Sequence, residues 1–237
     1  MKVRDIVDVM NENPDFSPGW KPVEQTLPDG RKIVTALDNP SFGSHRIVVV
    51  CRDDGSPLYD VPQKEEGPLN NETGRRPLSS GAVIVPYFSS SSQLYHVGLI
   101  RTIRPLVTDP STLTQGNYQS LEVPRGFGKL KEDSDATAVR ELGEETRRIA
   151  KDLHRIGRVN PNTAFDVTPG IPVFAAEVDP TIVDYLRPDS KEPILKCEFY
   201  PYSEVRKMVS GGDIYCGLSL AALMLFDTHL QKSQEKS

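Results

Sequence analysis

Glu132, Glu141, Glu144 and Glu145 form the densest concentration of potential chemistry in the chain. The last three follow i, i+3, i+4 spacing, so on a helix of about 3.6 residues per turn their carboxylates project from one face, a turn apart. Three like charges so placed repel one another unless a positive charge lies between them. A hard divalent cation such as Mg²⁺ would serve, because it takes oxygen ligands and bridges carboxylates to substrate phosphates. The simpler reading is a solvated helix face held by i,i+4 pairs such as Arg140 with Glu144.

Spacing separates the two readings. Gly126, five residues, Glu132, seven residues, then Arg140, Glu141, Leu142, one residue, Glu144 and Glu145 reproduces the signature of the Nudix hydrolases, which this segment resembles. The resemblance implies an α/β fold, a Nudix-like α/β/α sandwich with a mixed sheet, in which the box forms a loop-helix-loop. It makes Glu141, Glu144, Glu145 and the Gly126 carbonyl the metal ligands, with Glu144 and Glu145 also in the catalytic set. Only a residue without a Cβ cheaply allows the close approach that this use of Gly126 requires. Arg140 would orient and partly neutralise carboxylates, and Glu132 would hold the loop-helix-loop by hydrogen bonds. The family normally closes the box with Gly and an aliphatic residue, whereas Arg147 and Arg148 stand here. The helix is therefore expected to run on through Ile149 and Ala150, or to end less cleanly than at a glycine.

Flanking segments resemble the ADP-ribose pyrophosphatase subgroup. Leu121-Glu122-Val123-Pro124 is similar to the stretch leading into that subgroup's box, and Arg104-Pro105 to a strand-end motif before it. Arg101, Arg104 and Glu122 are the substrate-binding candidates; for the two arginines, a plain strand-end charge is the alternative to a phosphate contact. In the subgroup an acidic loop residue closes over the substrate and assists the attacking water. Glu192 is the best positional match and Asp189 the second, against the ordinary reading of a solvated loop carboxylate. The resemblance implies Mg²⁺, with Mn²⁺ possible, and hydrolysis of the pyrophosphate bond of a nucleoside diphosphate derivative, with ADP-ribose giving AMP and ribose 5-phosphate as the leading case. Two alternatives stay open: a Nudix hydrolase of a nucleotide sugar, NADH or a dinucleoside polyphosphate, or a non-catalytic nucleotide-binding domain. The subgroup dimerises through an N-terminal appendage, so a homodimer is expected.

Composition bounds these possibilities. With 37% hydrophobic and 26% charged residues among 237, the chain reads as an ordinary soluble protein. A net charge of −5 and pI near 5.5 argue against a sequence-independent nucleic-acid binder, which carries a basic face. Cys51, Cys197 and Cys216 are odd in number and scattered, which indicates neither a disulfide framework nor a zinc site and fits a reduced, cytoplasmic setting. The N-terminus has acidic residues inside its short apolar stretch and does not read as a secretory signal. No apolar run is long enough to span a membrane. Neither nucleic acid nor membrane is an expected partner.

Elements must hold the box in place. Val3, Ile6, Val7 and Met10 suggest a helix over residues 3–11, and two β-prone runs about Pro28-Asp29-Gly30 suggest a hairpin. Residues 46–52 read as a strand, and the polar, Pro-rich residues 56–80 as a loop or linker. Strands are expected over 81–88, 94–101, 173–178 and 196–200, and helices over 203–209 and 219–230, with residues 151–159 leading into a loop. In the box helix, Asp133 or Ser134 is the cap, and Ala136, Val139, Leu142 and Ile149 are the expected apolar contacts. This divides the chain into a β-rich appendage and linker (1–78), a Nudix-like domain (79–231) and a frayed tail (232–237).

Overall fold

The chain divides into two compact units, one of Met1–Ser80 with Lys129–Lys131 and Asn160–Pro169, the other of Gly81–Gly128, Glu132–Val159 and Gly170–Ser237. The computed structural model describes residues 2–18, 24–26, 32–39, 43–66, 81–90, 94–103, 119–129, 131–161, 170–182 and 194–235.

In the first unit, β1 (Lys2–Asp5) runs antiparallel to the end of β4 (Gly43–Cys51), and α1 (Ile6–Glu12) follows it. The expected helix over 3–11 therefore starts only at Ile6, because residues 2–5 complete strand pairing and Asp5 then caps the helix by accepting from Val7 N at 2.9 Å. β2 (Glu24–Thr26) and β3 (Lys32–Asn39) pair antiparallel as the hairpin reading requires; the turn itself lies outside the described residues. β5 (Pro57–Glu66) corrects the loop reading of 56–80, since it pairs with β4 from Gly43↔Glu66 to Cys51↔Pro57. Its polar, Pro-containing sequence suits an edge strand, where one side makes no ladder bonds. Ile6, Val9, Ile47, Val49 and Cys51 form this unit's buried cluster.

The second unit is built on a seven-stranded mixed sheet. Its strands are β6 (Gly81–Ser89), β7 (Tyr95–Ile103), β8 (Gln119–Glu122), β9 (Arg125–Phe127), β10 (Ala150–Val159), β11 (Ile171–Val178) and β12 (Ile194–Pro201). The order is β10-β11-β6-β7-β12, with β9 on β6 and β8 on β7; β11 runs parallel to β6. β10 is a strand where the sequence suggested a lead into a loop. It is the sheet edge, and its Lys151, Asp152, Arg155 and Arg158 interrupt the apolar alternation that marks inner strands.

Helices cover both faces, which is why Gly81 to Tyr87 is uniformly buried. Ala82, Ile84, Phe174, Ala176 and Val178 pack against Ala138 and Leu142 of α2 (Ser134–Thr146). The alternate residues Val83, Val85, Tyr87, Val173 and Ala175 join a cluster with Tyr202 and Val205 of α3 (Tyr202–Gly211) and with Ala222, Leu223 and Phe226 of α4 (Gly217–Gln234). The result is the expected α/β/α sandwich. Among the described residues, no helix is long and apolar enough to cross a membrane.

Leu142 is fully buried between α2 and the sheet. Leu142→Ala is expected to lower the unfolding free energy by about 2–5 kcal/mol, read as a reduced urea midpoint. A change within about 0.5 kcal/mol, the range of ordinary surface substitutions, would show that α2 is not held by this contact.

Candidate functional site

The approach to α2 is pinned to the sheet and to the helix that covers its other face from α2. Val123 N donates to the buried Ser219 Oγ of α4 at 3.1 Å, and Ile84 N donates to the Pro124 carbonyl at 2.8 Å. Arg125, Gly126 and Phe127 pair with Val83, Ala82 and Gly81. Asp133 then caps α2 by accepting from Ala136 N at 2.7 Å, and Asp135 places a negative charge in the first turn, at the positive end of the helix dipole.

Of the four apolar contacts expected on α2, Leu142 packs on the sheet and the other three do not. Ala136 is exposed, as are Val139 (52%) and Ile149 (51%), whereas Ala138 and Leu142 make the sheet contact. With each residue turning the helix by about 100°, Glu141 and Glu145 fall beside Ala138 and Leu142, and Arg140 and Glu144 fall further out. Glu141 and Glu145 are accordingly only 6% and 4% exposed. Apolar positions alone mislead here, because two of the buried positions are carboxylates.

Arg140 connects the box internally. Its Nε and Nη2 each donate to Glu132 at 2.9 Å, Nη1 donates to Glu141 Oε1 at 2.7 Å and to Glu144 Oε2 at 2.8 Å, and Nη2 donates to the Phe127 carbonyl at 2.8 Å. All five guanidinium N–H groups are thus engaged. The Glu132 hydrogen bonds and the Glu141 charge raise the Arg140 pKa above its ordinary value, against the opposing effect of burial. Glu132 also accepts from the Thr137 hydroxyl at 3.1 Å, so it ties the loop to the helix.

Gly126 lies against Glu141: a Cβ built at this position would stand 2.1 Å from the Glu141 carboxyl group. The backbone of β9 and the helix carboxylate can be this close only because residue 126 is glycine. Arg125 N donates to Glu145 Oε2 at 2.9 Å, which fixes the second buried glutamate to the same strand. The Arg125 guanidinium donates to Glu122 Oε2 at 3.0 Å; Glu122, 1% exposed, thereby holds Arg125. Sequence reasoning overlooked Arg125, for which the i+3 spacing from Glu122 was the available signal. The structure therefore brings together Gly126, Glu132, Arg140, Glu141, Glu144 and Glu145.

These donors are hard oxygens, the chemistry that Mg²⁺ or Mn²⁺ takes, and the bare Gly126 backbone lets the Glu141 carboxylate lie against it. No three His, Cys, Asp or Glu side chains among the described residues converge as a preassembled metal set. Glu141 and Glu144 are instead drawn onto Arg140, so holding an ion requires their carboxylates to turn toward it.

Arg101, on β7, pairs in register with Leu121 of β8 and Lys196 of β12, and its charge helps hold the Glu198 carboxyl below its ordinary pKa, after Lys196 and the Tyr200 hydroxyl. Arg104, Asp189 and Glu192 lie outside the described residues.

α2 ends at Thr146. Arg147 adopts the left-handed conformation (φ 56°, ψ 35°), and its N–H bonds to the Gly143 carbonyl. The helix thus does not run on to Ala150: an arginine occupies the conformation that the family's glycine would take, at a backbone cost of about 1–2 kcal/mol. Beside this end a cleft of about 360 Å³ is lined by residues 144–148 and, on β12, 194–197. Burial pushes the Cys197 thiol up to about 12 despite the nearby Arg148 charge, so the thiol in this cleft is neutral.

No family model matches the chain, and no curated protein matches it. Among solved structures, one described as the crystal structure of ADP compounds hydrolase is similar, with a TM-score of 0.58 and 16% sequence identity over 92% of this chain and 98% of that one. The fold is therefore Nudix-like.

Arg147→Gly should relieve the left-handed strain and raise stability by about 0.5–1 kcal/mol, or roughly 1–4 °C in Tm. A lower Tm would show that the Arg147 side chain contributes more than its backbone costs.

Proposed function

We propose that the chain is a divalent-metal-dependent hydrolase of the pyrophosphate bond in a nucleoside diphosphate derivative, with ADP-ribose, giving AMP and ribose 5-phosphate, as the leading substrate. The observation that carries this reading is the convergence of Glu132, Glu141 and Glu144 on Arg140 while Glu141 lies against the Gly126 backbone. A solvated helix face needs neither buried glutamates nor a glycine-dependent approach. The likeness to an ADP compounds hydrolase supports the same direction at the level of the fold.

In this reading Glu141, Glu144, Glu145 and the Gly126 carbonyl hold the ion. Bound divalent ions neutralise pyrophosphate oxygens, lower the pKa of attached water and stabilise the leaving phosphate. Arg140 and Glu132 keep the loop and helix in register, so each carboxylate needs only a side-chain rotation to engage. Arg125 steadies Glu145 through its backbone N–H. Arg101 and Arg104 are the proposed contacts to substrate phosphates, Glu122 acts through Arg125, and Glu192 is the proposed loop carboxylate that assists the attacking water.

A panel of nucleoside diphosphate derivatives assayed with Mg²⁺ and Mn²⁺, with products identified, tests the reaction and the substrate together. AMP and ribose 5-phosphate from ADP-ribose are expected; cleavage of another member moves the assignment to that substrate, and inertness throughout favours a binding domain. Glu145→Gln should reduce kcat by about 10²-fold or more with the Tm preserved, whereas unchanged turnover removes Glu145 from the site.

A further inference from the structure

The end of α2 carries two adjacent cations where a glycine and an apolar side chain would make a simpler helix terminus. Arg147 keeps a left-handed backbone, and among the described residues its guanidinium has no hydrogen-bond or ion-pair partner. Arg148 is held differently. Its Nη1 reaches the Ile182 carbonyl only at 3.4 Å, its guanidinium carbon lies 5.9 Å from the Phe199 ring centroid, and its Nε is buried without an acceptor. A buried N–H donor lacking an acceptor is unfavourable, so the Arg148 guanidinium is free to turn its N–H groups toward an anion in the cleft that this residue lines.

Both arginines line the cleft of about 360 Å³ that Glu144 and Glu145 also line, and Lys196 stands on the β12 wall, its Nζ 2.8 Å from Glu198 Oε2. The volume is at the low end of ligand pockets, enough for one phosphorylated moiety rather than a whole dinucleotide. The neutral Cys197 thiol adds no negative charge to this wall. Basic residues after a helix C-terminus favourably complement its dipole, but that explains neither the acceptor-less buried Nε nor the placement of both side chains on a cleft. The helix end and the two glutamates would by themselves repel an anion here. Arg147 and Arg148 offset the two glutamates, while Lys196, already paired with Glu198, contributes N–H donors rather than net charge.

We propose that this cleft is a phosphate subsite, with Arg147 and Arg148 as its donors and Lys196 as its third cation. It takes a phosphate of the substrate other than the two of the scissile bond. The inference rests on the hydrolase reading for its role in catalysis and names the substrate class as a nucleoside diphosphate derivative bearing a further phosphate ester.

The test has two arms on the full-length protein. In the first, calorimetric titration of inorganic phosphate is done with EDTA present, so no divalent ion can recruit phosphate to the glutamates. The wild type and Glu145→Gln are expected to bind at one site, Arg147→Gly more weakly, and Arg147→Ala/Arg148→Ala about tenfold or more weakly. Arg147→Gly guards against misfolding as the cause, because its helix end is expected to be more stable, and Arg148→Lys should restore part of the affinity. Absence of binding at millimolar phosphate, or equal binding by the double variant, overturns the subsite.

In the second arm, kcat/KM is compared for ADP-ribose and for ADP-ribose carrying a 2′-phosphate. The preference for the phosphorylated substrate is expected to fall about tenfold or more in the double variant, through KM. Equal losses on both substrates overturn the specificity role. If the wild type cleaves neither, the ADP-ribose assignment fails, inertness across the whole substrate panel removes the hydrolase reading, and the first arm alone decides whether the subsite exists.

Discussion

The guanidinium of Arg140 is the point on which the loop before α2, the end of β9 and the outer face of α2 all close. It sets one positive charge against three carboxylates, at N···O distances of 2.7–2.9 Å. At an effective dielectric of about 20, two unit charges 4 Å apart interact by about 4 kcal/mol, and closer contacts interact more strongly. The three short attractions therefore outweigh repulsions between carboxylates that lie on different sides of the guanidinium. One cation still cannot neutralise three anions. Among the ion pairs described, one guanidinium faces three carboxylates, the charge balance that the proposed metal site calls for.

That cluster depends on packing it does not share. Ala138 and Leu142 seat α2 on Ala82, Ile84, Phe174, Ala176 and Val178, while α4 reaches through Ser219 to the segment before Gly126. Helix and strand are thus fixed independently to one sheet. Glu141 can then lie against Gly126, and Glu145 can accept from Arg125 N, without either carboxylate having to hold the helix in place. Rigid elements position the acidic groups, whose terminal torsions remain the adjustable part.

Much of this was legible in the sequence because the constraint is local. The i, i+3, i+4 spacing of Glu141, Glu144 and Glu145 specifies a shared helix face, and the resemblance carried by the longer spacing implied the loop-helix-loop and the Arg140 and Glu132 roles. The mixed sandwich was expected from the resemblance, and the apolar run at Gly81 to Tyr87, read as a buried strand, is consistent with its cover on both sides. What failed had physical reasons. Residues 57–66 look like a loop, and 151–159 like no more than a lead into one, because edge strands tolerate proline and charge, and Val139 looked buried because apolarity was weighed above the helix angle set by Ala138 and Leu142. The end of α2 was misjudged because arginine seldom adopts the left-handed conformation that Arg147 takes. The Arg125–Glu122 pair had a local i+3 signal that was overlooked, whereas the Arg125 N–Glu145 bond and the cleft beside β12 depend on long-range pairing that no local pattern encodes.

Crystals of the protein soaked in Mn²⁺ and measured at the manganese absorption edge would locate the ion directly. The expected result is an anomalous peak in contact with the carboxylates of Glu141, Glu144 and Glu145 and with the Gly126 carbonyl, with Arg140 still bonded to Glu132. A peak elsewhere, or none at saturating Mn²⁺ with Glu141 and Glu144 still held on Arg140, would contradict the assignment of this cluster as a metal site.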